Sequence, residues 1–116
     1  MRPDRASVRV AREYLEAGAG RPLRLADVAV AAGVDPAYLS RAFRRCAGTT
    51  MGAWLRSLRA RRAADLLSSS RMPLADVALS TGFADQSHFC RVFRTEYGVT
   101  PRRFRELAQR SSPFKT

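Results

Sequence analysis

Arginine is the residue type through which this sequence could do most of its chemistry. Of the 21 basic residues 20 are arginines, against 10 acidic residues, and the formal net charge at pH 7 is +11. A guanidinium group donates paired hydrogen bonds to phosphate oxygens and to the edge of guanine. The charge is concentrated, since residues 36–62 contain seven arginines and no acid. Such a field favours polyanionic partners, although a solvated surface has the same pattern.

Other reactive side chains are few. His88 is the only histidine, so neither a histidine-dependent dyad nor a multi-histidine metal site can be assembled. Cys46 and Cys90 are the only cysteines, and we expect reduced thiols with structural or incidental roles rather than redox sensors. The sequence shows no paired catalytic carboxylates, phosphate-binding glycine loop or nucleophile motif. We therefore expect no enzymatic activity, no cofactor and no metal.

Length and hydropathy restrict the class of protein. A chain of 116 residues that is 46% hydrophobic is typical of one globular unit or two very small ones. It contains no run of 18 apolar residues and its N-terminus lacks the apolar segment of a secretory signal. We expect a cytoplasmic protein that does not associate with a membrane.

An internal repeat organises the chain. Residues 25–33 recur as residues 74–82 with six of nine positions identical, and after one inserted residue the match continues at an offset of 50. Two copies of one supersecondary unit therefore account for most of the sequence, too few for a solenoid. The later matches are Arg41, Phe43, Arg44, Gly48 and Thr50 with Arg91, Phe93, Arg94, Gly98 and Thr100.

Each copy has the pattern of a helix, a tight turn and a second helix. Apolar residues at helical spacing define the first helix, and a glycine interrupts it. An aspartate follows at an N-cap position, then an apolar pair spaced i, i+4, then a glycine that can end the helix. These are Gly33, Asp35, Leu39, Phe43 and Gly48 in the first copy, and Gly82, Asp85, Phe89, Phe93 and Gly98 in the second. The residues before the first helices, Arg24 and Pro73, are poor caps.

Further helices are predicted before, between and after these units. A short amphipathic helix opens the chain, and a long one over Met51–Ser69 has two apolar faces, which indicates packing between the two modules. One face carries Trp54, Leu55, Leu58 and Leu66, and the other Ala53, Ala60, Ala64 and Leu67. No segment alternates long enough to be a strand. We expect an all-α fold divided into residues 1–50 (opening helix and first module), 51–69 (linker helix), 70–110 (second module) and 111–116 (disordered tail).

A helix-turn-helix with a basic second helix suits the major groove of B-DNA, which admits one α-helix. Pro36–Ala47 and Gln86–Tyr97 are the candidate recognition helices. Two of them on one chain could read adjacent groove segments, roughly 34 Å apart, without a dimer.

The chain resembles the AraC/XylS family of bacterial transcription regulators. The resemblance extends over residues 5–107 and is most specific in residues 82–94 (GFADQSHFCRVFR) and 97–105 (YGVTPRRFR). It implies about seven helices, with two homeodomain-like helix-turn-helix modules joined by a long linker helix. It also implies double-stranded DNA and RNA polymerase as partners, usually for activation. Most members carry a further effector or dimerisation domain, so this is either a stand-alone regulator or the DNA-binding end of a longer protein. As this chain, we expect a monomer.

The resemblance also assigns positions that read bases. Arg41 and Arg91 could each fork to a guanine and Gln86 could bridge an adenine. Ala37 replaces the larger residue common at its position, so the first helix is expected to read fewer bases. The full set is Ala37, Ser40 and Arg41 in the first helix, and Gln86, Ser87, His88, Cys90 and Arg91 in the second.

Several alternatives stay open from the sequence. Arg44, Arg45 and Arg94 are expected to contact phosphates, or else only solvent. Arg59 and Arg62 are expected to be structural, with stems packed and heads paired to an acid. The charge alone would also fit a non-specific architectural DNA binder, and the fold would also fit a module that docks on RNA polymerase and barely needs DNA.

Overall fold

The computed structural model describes residues 3–110, which form seven α-helices and contain no β-strand. The all-α, seven-helix fold class expected above is therefore confirmed. The predicted disordered tail, residues 111–116, lies outside the described residues. The helices are α1 (Pro3–Gly18), α2 (Leu25–Ala32), α3 (Pro36–Ala47), α4 (Met51–Ser69), α5 (Leu74–Ser80), α6 (Gln86–Tyr97) and α7 (Pro101–Arg110).

Aspartates begin α3 and α6, as the N-cap pattern predicted. Asp35 accepts hydrogen bonds from two backbone N–H groups of the first turn, at 3.0 and 3.3 Å. Asp85 accepts one from the N–H of His88 at 2.8 Å. Both helices end at glycines in the left-handed region, Gly48 at φ 76° and Gly98 at φ 77°. The local sequence therefore fixes the start and the end of each candidate recognition helix.

Threonines begin α4 and α7. Thr50 and Thr100 accept hydrogen bonds from N–H groups in the first turns of α4 and α7, both at 3.1 Å. Arg24 and Pro73 precede α2 and α5 and make no side-chain cap. These two short helices depend on tertiary packing, because isolated helices of seven or eight residues are not stable in water.

Buried side chains form two clusters, one in each half of the molecule. The first core joins α1, α2, α3 and the start of α4, and the second core joins the rest of α4 to α5 and α6, with Phe104 of α7 packed against it. The first core consists of Val8, Ala11, Leu15, Ala19, Val28, Ala29, Leu39, Ala42, Phe43, Met51, Leu55 and Leu58. The second consists of Ala60, Ala63, Ala64, Leu67, Val77, Ala78, Phe83, Phe89 and Phe93.

Helix α4 belongs to both cores and contacts both modules, as its two apolar faces predicted. The assignment of residues to faces was wrong in one respect. Leu66 was placed with Leu55 and Leu58, but it packs against the second core while they lie in the first. The reason is that the two cores follow one another along the helix, so position along the axis decides the neighbour. The resulting molecule is elongated, 52 × 26 × 21 Å.

Aromatic rings fill the second core. Phe93 is fully buried, and its ring centroid lies 5.7 Å from that of Phe89, 4.6 Å from Tyr97 and 5.2 Å from Phe104. Such pairs add to the stability gained from burial alone. The cluster anchors the inner face of α6 and leaves its polar face outward.

Candidate nucleic-acid interface

Helix α3 presents a polar stripe opposite its buried side. Leu39, Ala42 and Phe43 are fully buried and fix the rotation of the helix about its axis. Residues three, four and seven positions apart share one face of a helix. The exposed stripe with this spacing consists of Ala37, Ser40, Arg41 and Arg44. The helix contains no acidic residue, and Arg41 and Arg44 make the second half of this stripe cationic.

Helix α6 presents the equivalent stripe in the second module. Phe89 and Phe93 are fully buried, which turns the opposite side of the helix to solvent. The acid Glu96 lies in its last turn and accepts a hydrogen bond from the hydroxyl of Ser57 at 2.7 Å. The exposed sequence-predicted residues on this helix are Gln86, Ser87, Arg91 and Arg94.

His88 and Cys90 are less accessible than the other predicted base-reading residues. Both are half-buried. The His88 ring packs edge-on against Phe83, with 5.5 Å between the ring centroids. Its Nδ1 atom is buried and has no hydrogen-bond partner among the described residues. Cys90 packs against the second core, and this burial raises the pKa of its thiol. A groove contact from either would use only the outer part of the side chain.

Arg45, which was predicted to contact phosphate, forms an ion pair with Asp4. Its Nε donates to a carboxylate oxygen of Asp4 at 3.2 Å, and the Tyr38 hydroxyl donates to the other oxygen of that carboxylate. The hydrogen bond to Asp4 raises the pKa of both Arg45 and Tyr38. The three groups join α1 to α3. The side chain of Arg45 is still more than half exposed, so a phosphate contact would have to share its guanidinium with Asp4.

Arg59 and Arg62 are structural residues, but the expected pairing with an acid was wrong. Arg59 donates to the backbone carbonyls of Ala19 and Arg21, and Arg62 to that of Glu16, all at 2.9 Å. The last carbonyls of a helix have no partner within the helix and carry the negative end of its dipole. The end of α1 and the loop after it therefore attract these cations without any carboxylate.

Three further exposed arginines were absent from the predicted set. Arg56 of α4 and Arg91 of α6 line one shallow groove. Arg102 and Arg103 are exposed in the first turn of α7. The acid-free stretch of residues 36–62 includes Arg56 and could have indicated it. Arg102 and Arg103 lie within the YGVTPRRFR motif, which could have indicated them.

The concave regions of the described chain offer no other obvious chemistry. A cleft of about 820 Å³ between α1 and the end of α3 is lined by residues of both charges, including Arg9, Glu13 and Arg45. Within residues 3–110 no group of three or more His, Cys, Asp or Glu is placed to hold a metal ion. Over the same residues no helix combines the length and apolar character that crossing a membrane requires.

Comparison with known sequences gives a consistent family. Residues 28–107 match the protein family described as "Helix-turn-helix domain". The regulatory protein SoxS of Salmonella typhimurium is 34% identical over 93 residues, which cover 80% of this chain and 87% of SoxS. The regulatory protein PocR of the same species is 34% identical over 110 residues, which cover 95% of this chain and 36% of PocR. The chain thus spans about a third of the length of PocR.

Solved structures show the same architecture. An AraC-type transcriptional regulator from Chromobacterium violaceum matches with a TM-score of 0.83 at 31% identity, covering 94% of this chain and 96% of that one. The DNA-binding domain of the global transcriptional factor AdpA, solved in complex with a target DNA, matches in fold with a TM-score of 0.86 at 24% identity, covering 94% and 97%. The chain belongs to the AraC family of DNA-binding transcription regulators.

Proposed function

We propose that this chain binds double-stranded DNA sequence-specifically by placing α3 and α6 in two adjacent segments of the major groove. The observation that carries the proposal is the repetition of one surface. Each helix is capped by an aspartate, buries its apolar side in its own core and turns a stripe of polar and cationic residues to solvent. The modules would be residues 1–50 and 70–110, with the linker helix of residues 51–69 between them.

Arg41 and Arg91 are the main base-reading residues in this proposal. They stand at equivalent positions of the repeat, and both are exposed on the stripes just described. A bidentate arginine–guanine contact contributes about 1–3 kcal/mol of discrimination. Ser40, Gln86 and Ser87 offer shorter polar contacts beside them. Ala37, His88 and Cys90 complete the set, Ala37 with apolar contact to a thymine methyl and the other two with only their outer atoms.

Phosphate contacts supply affinity rather than specificity. Arg44 and Arg94 are exposed about one turn beyond the base-reading arginines, which in the proposed docking brings them to the edge of the groove. Arg45 is the weaker member of the predicted phosphate set because Asp4 already holds its guanidinium. The structure of AdpA supports the proposal, since that protein has the same fold and was solved bound to DNA.

Selection from random duplexes tests the proposal. The purified chain is incubated with random DNA of roughly 30 base pairs, about three helical turns, at near-physiological salt, and the bound fraction is sequenced. Two enriched blocks about one helical turn apart would support reading by both helices. A single block would mean that one helix reads bases. No enrichment despite salt-sensitive binding would favour the non-specific architectural alternative.

Activation through RNA polymerase is the regulatory role that we propose, in the cytoplasm where bacterial DNA lies. It is supported by membership of the family alone. Transcription in vitro from a promoter carrying the selected site tests it: activation needs added chain and disappears when the site is scrambled. A chain that binds polymerase tightly but the site only weakly would instead be a polymerase-docking module.

We also propose that the chain binds its site as a monomer. Two recognition helices on one chain remove the need for a second copy, whereas single-module proteins dimerise to read two half-sites. Analytical ultracentrifugation with labelled duplex gives the stoichiometry directly. One chain per duplex is expected, and two would refute the monomer.

A further inference from the structure

We propose that Arg59 is a positioning residue that locks the two modules into one rigid unit and so sets the spacing of the DNA segments that they read. The part concerning DNA rests on the proposed reading by α3 and α6. The rigidity itself can be tested without DNA.

Arg59 lies at the boundary of the two cores. Its neighbours in α4 are Leu58, which belongs to the first core, and Ala60, which belongs to the second. Its Nε donates to the carbonyl of Ala19 and its Nη2 to the carbonyl of Arg21, both at 2.9 Å. One guanidinium therefore holds the loop between α1 and α2 against the middle of α4.

The turn before α6 closes on the same point. Gly82 has a φ of +91°, and a Cβ built on it would lie 2.0 Å from the carbonyl oxygen of Ala19 and 2.6 Å from Nε of Arg59. At the residue next to Ala19, a Cβ on Gly20 would lie 3.4 Å from the carbonyl oxygen of Ser80. The loop of the first module and the turn of the second are thus in backbone contact, with the Arg59 head beside them. We call this contact the junction.

The junction adds a point of attachment to α4, which makes the main helix–helix contacts between the two modules within residues 3–110. A single shared helix fixes the separation of two bodies, but it still permits bending and twisting about its axis. A contact away from that axis opposes both motions. Because Gly82 precedes the first residue of α6 by four positions, the junction acts directly on the start of the second recognition helix. The carbonyls of Ala19 and Arg21 would lose this donor if Arg59 were removed, which loosens the loop.

Distance measurement between spin labels tests the rigidity. The labels are attached to Cys46 of α3 and to Thr95→Cys of α6, in a Cys90→Ser background and without DNA. Both labelled positions are exposed. We expect a narrow distribution in this parent and a distribution roughly twofold broader in Arg59→Ala. Arg61→Ala is the matched control, because Arg61 is exposed on the same helix and its substitution removes the same charge. An unchanged distribution in Arg59→Ala, or an equally broad one in Arg61→Ala, would overturn the proposal.

Spacing selectivity tests the consequence for DNA. Affinities are compared for the preferred site and for sites with one base pair added or removed between the two blocks, which rotates one block by about 34° relative to the other. We expect a preference of roughly tenfold in the natural chain to approach unity in Arg59→Ala, while Arg61→Ala keeps it. A ratio of affinities of one folded protein is insensitive to a general loss of stability. Retained selectivity in Arg59→Ala would refute the positioning role.

Gly82→Ala provides a second variant that acts from the other side of the junction. Its Cβ would have to displace the Ala19 carbonyl, so the modules should reorient rather than merely loosen, and the preferred spacing should shift. Circular dichroism establishes first that the variant is folded. If the natural chain shows no spacing preference at all, the proposed reading by two helices fails, and the DNA part of this inference with it. The label distances would then still decide whether Arg59 makes the chain rigid.

Discussion

Replacing Arg91 with alanine separates reading of bases from binding of phosphates. The guanidinium of Arg91 is exposed and forms no ion pair or side-chain hydrogen bond within residues 3–110, so the substitution should change the free energy of unfolding by less than about 0.5 kcal/mol. Any larger effect must then arise in the complex with DNA.

The expected loss follows from the contact proposed for this residue. A bidentate contact to guanine contributes about 1–3 kcal/mol, which is roughly a 5- to 150-fold loss of affinity for the selected site. The loss should be confined to one base pair, because the rest of α6 and all of α3 are unchanged. Arg41→Ala should behave in the same way at a position in the other block. The double variant should lose the sum of the two free energies if both helices engage the DNA together.

The assay is titration of labelled duplexes over a range of salt concentrations, with Arg94→Ala as the matched control. A phosphate ligand weakens binding to all sequences and reduces the slope of log K against log salt by about 0.9. We expect this of Arg94→Ala and an unchanged slope for Arg91→Ala. If Arg91→Ala weakens every sequence equally and lowers the slope, Arg91 is a phosphate ligand and the assignment of the α6 stripe is incorrect. If Arg41→Ala has no effect, only the second module reads bases.

Three further predictions concern the folded chain. Asp85→Ala should lower the free energy of unfolding by about 1 kcal/mol, and the thermal midpoint by roughly 4–8 °C, because it removes the cap of α6. Asp85→Asn should retain most of the stability, since asparagine also caps helices. An unchanged midpoint in the alanine variant would show that the cap is not needed. Phe93→Ala should cost about 3–5 kcal/mol because it opens a cavity within the aromatic cluster, and urea unfolding that shows less than about 1 kcal/mol would contradict the packing described. Burial raises the pKa of the Cys90 thiol, so at neutral pH it is protonated, and its thiolate forms only as the pH rises through that raised value. Mass spectrometry after iodoacetamide treatment should therefore find that Cys46, which is exposed, is alkylated faster than Cys90. The difference between the two rates should become smaller at alkaline pH. Equal rates at every pH would argue against the burial of Cys90.

Features determined by a few neighbouring residues were predictable from the sequence. Asp35 and Asp85 each stand just before a helix whose first turn has unpaired N–H groups, and a side-chain oxygen there can accept them with little help from the rest of the fold. The recurrence of residues 25–33 at 74–82 predicted that the chain contains two modules. Together these gave the helix order and the two candidate recognition helices, while the base-reading role of their exposed residues stays a prediction.

Features that depend on distant parts of the chain were not predictable. The Asp4–Arg45 pair joins residues 41 positions apart, and the Arg59 contact to Ala19 joins residues 40 apart. Hydrophobic periodicity identifies both arginines only as polar. It cannot show that Arg45 donates to a carboxylate and that Arg59 donates to two backbone carbonyls. The burial of the inner edge of His88 likewise depends on the position of Phe83, whose ring orientation is set by the second core.

The division of α4 between two cores has a consequence for how the chain folds. Residues 70–110 without α4 would lack Ala60, Ala63, Ala64 and Leu67, so the second core would be open to water on one side. The first half, cut before α4, would lose Met51, Leu55 and Leu58 in the same way. Neither copy of the repeat is then an autonomous folding unit, and the chain should unfold in a single cooperative transition. The two copies of the repeat share α4 as one wall of both cores, so removing either copy exposes the core of the other.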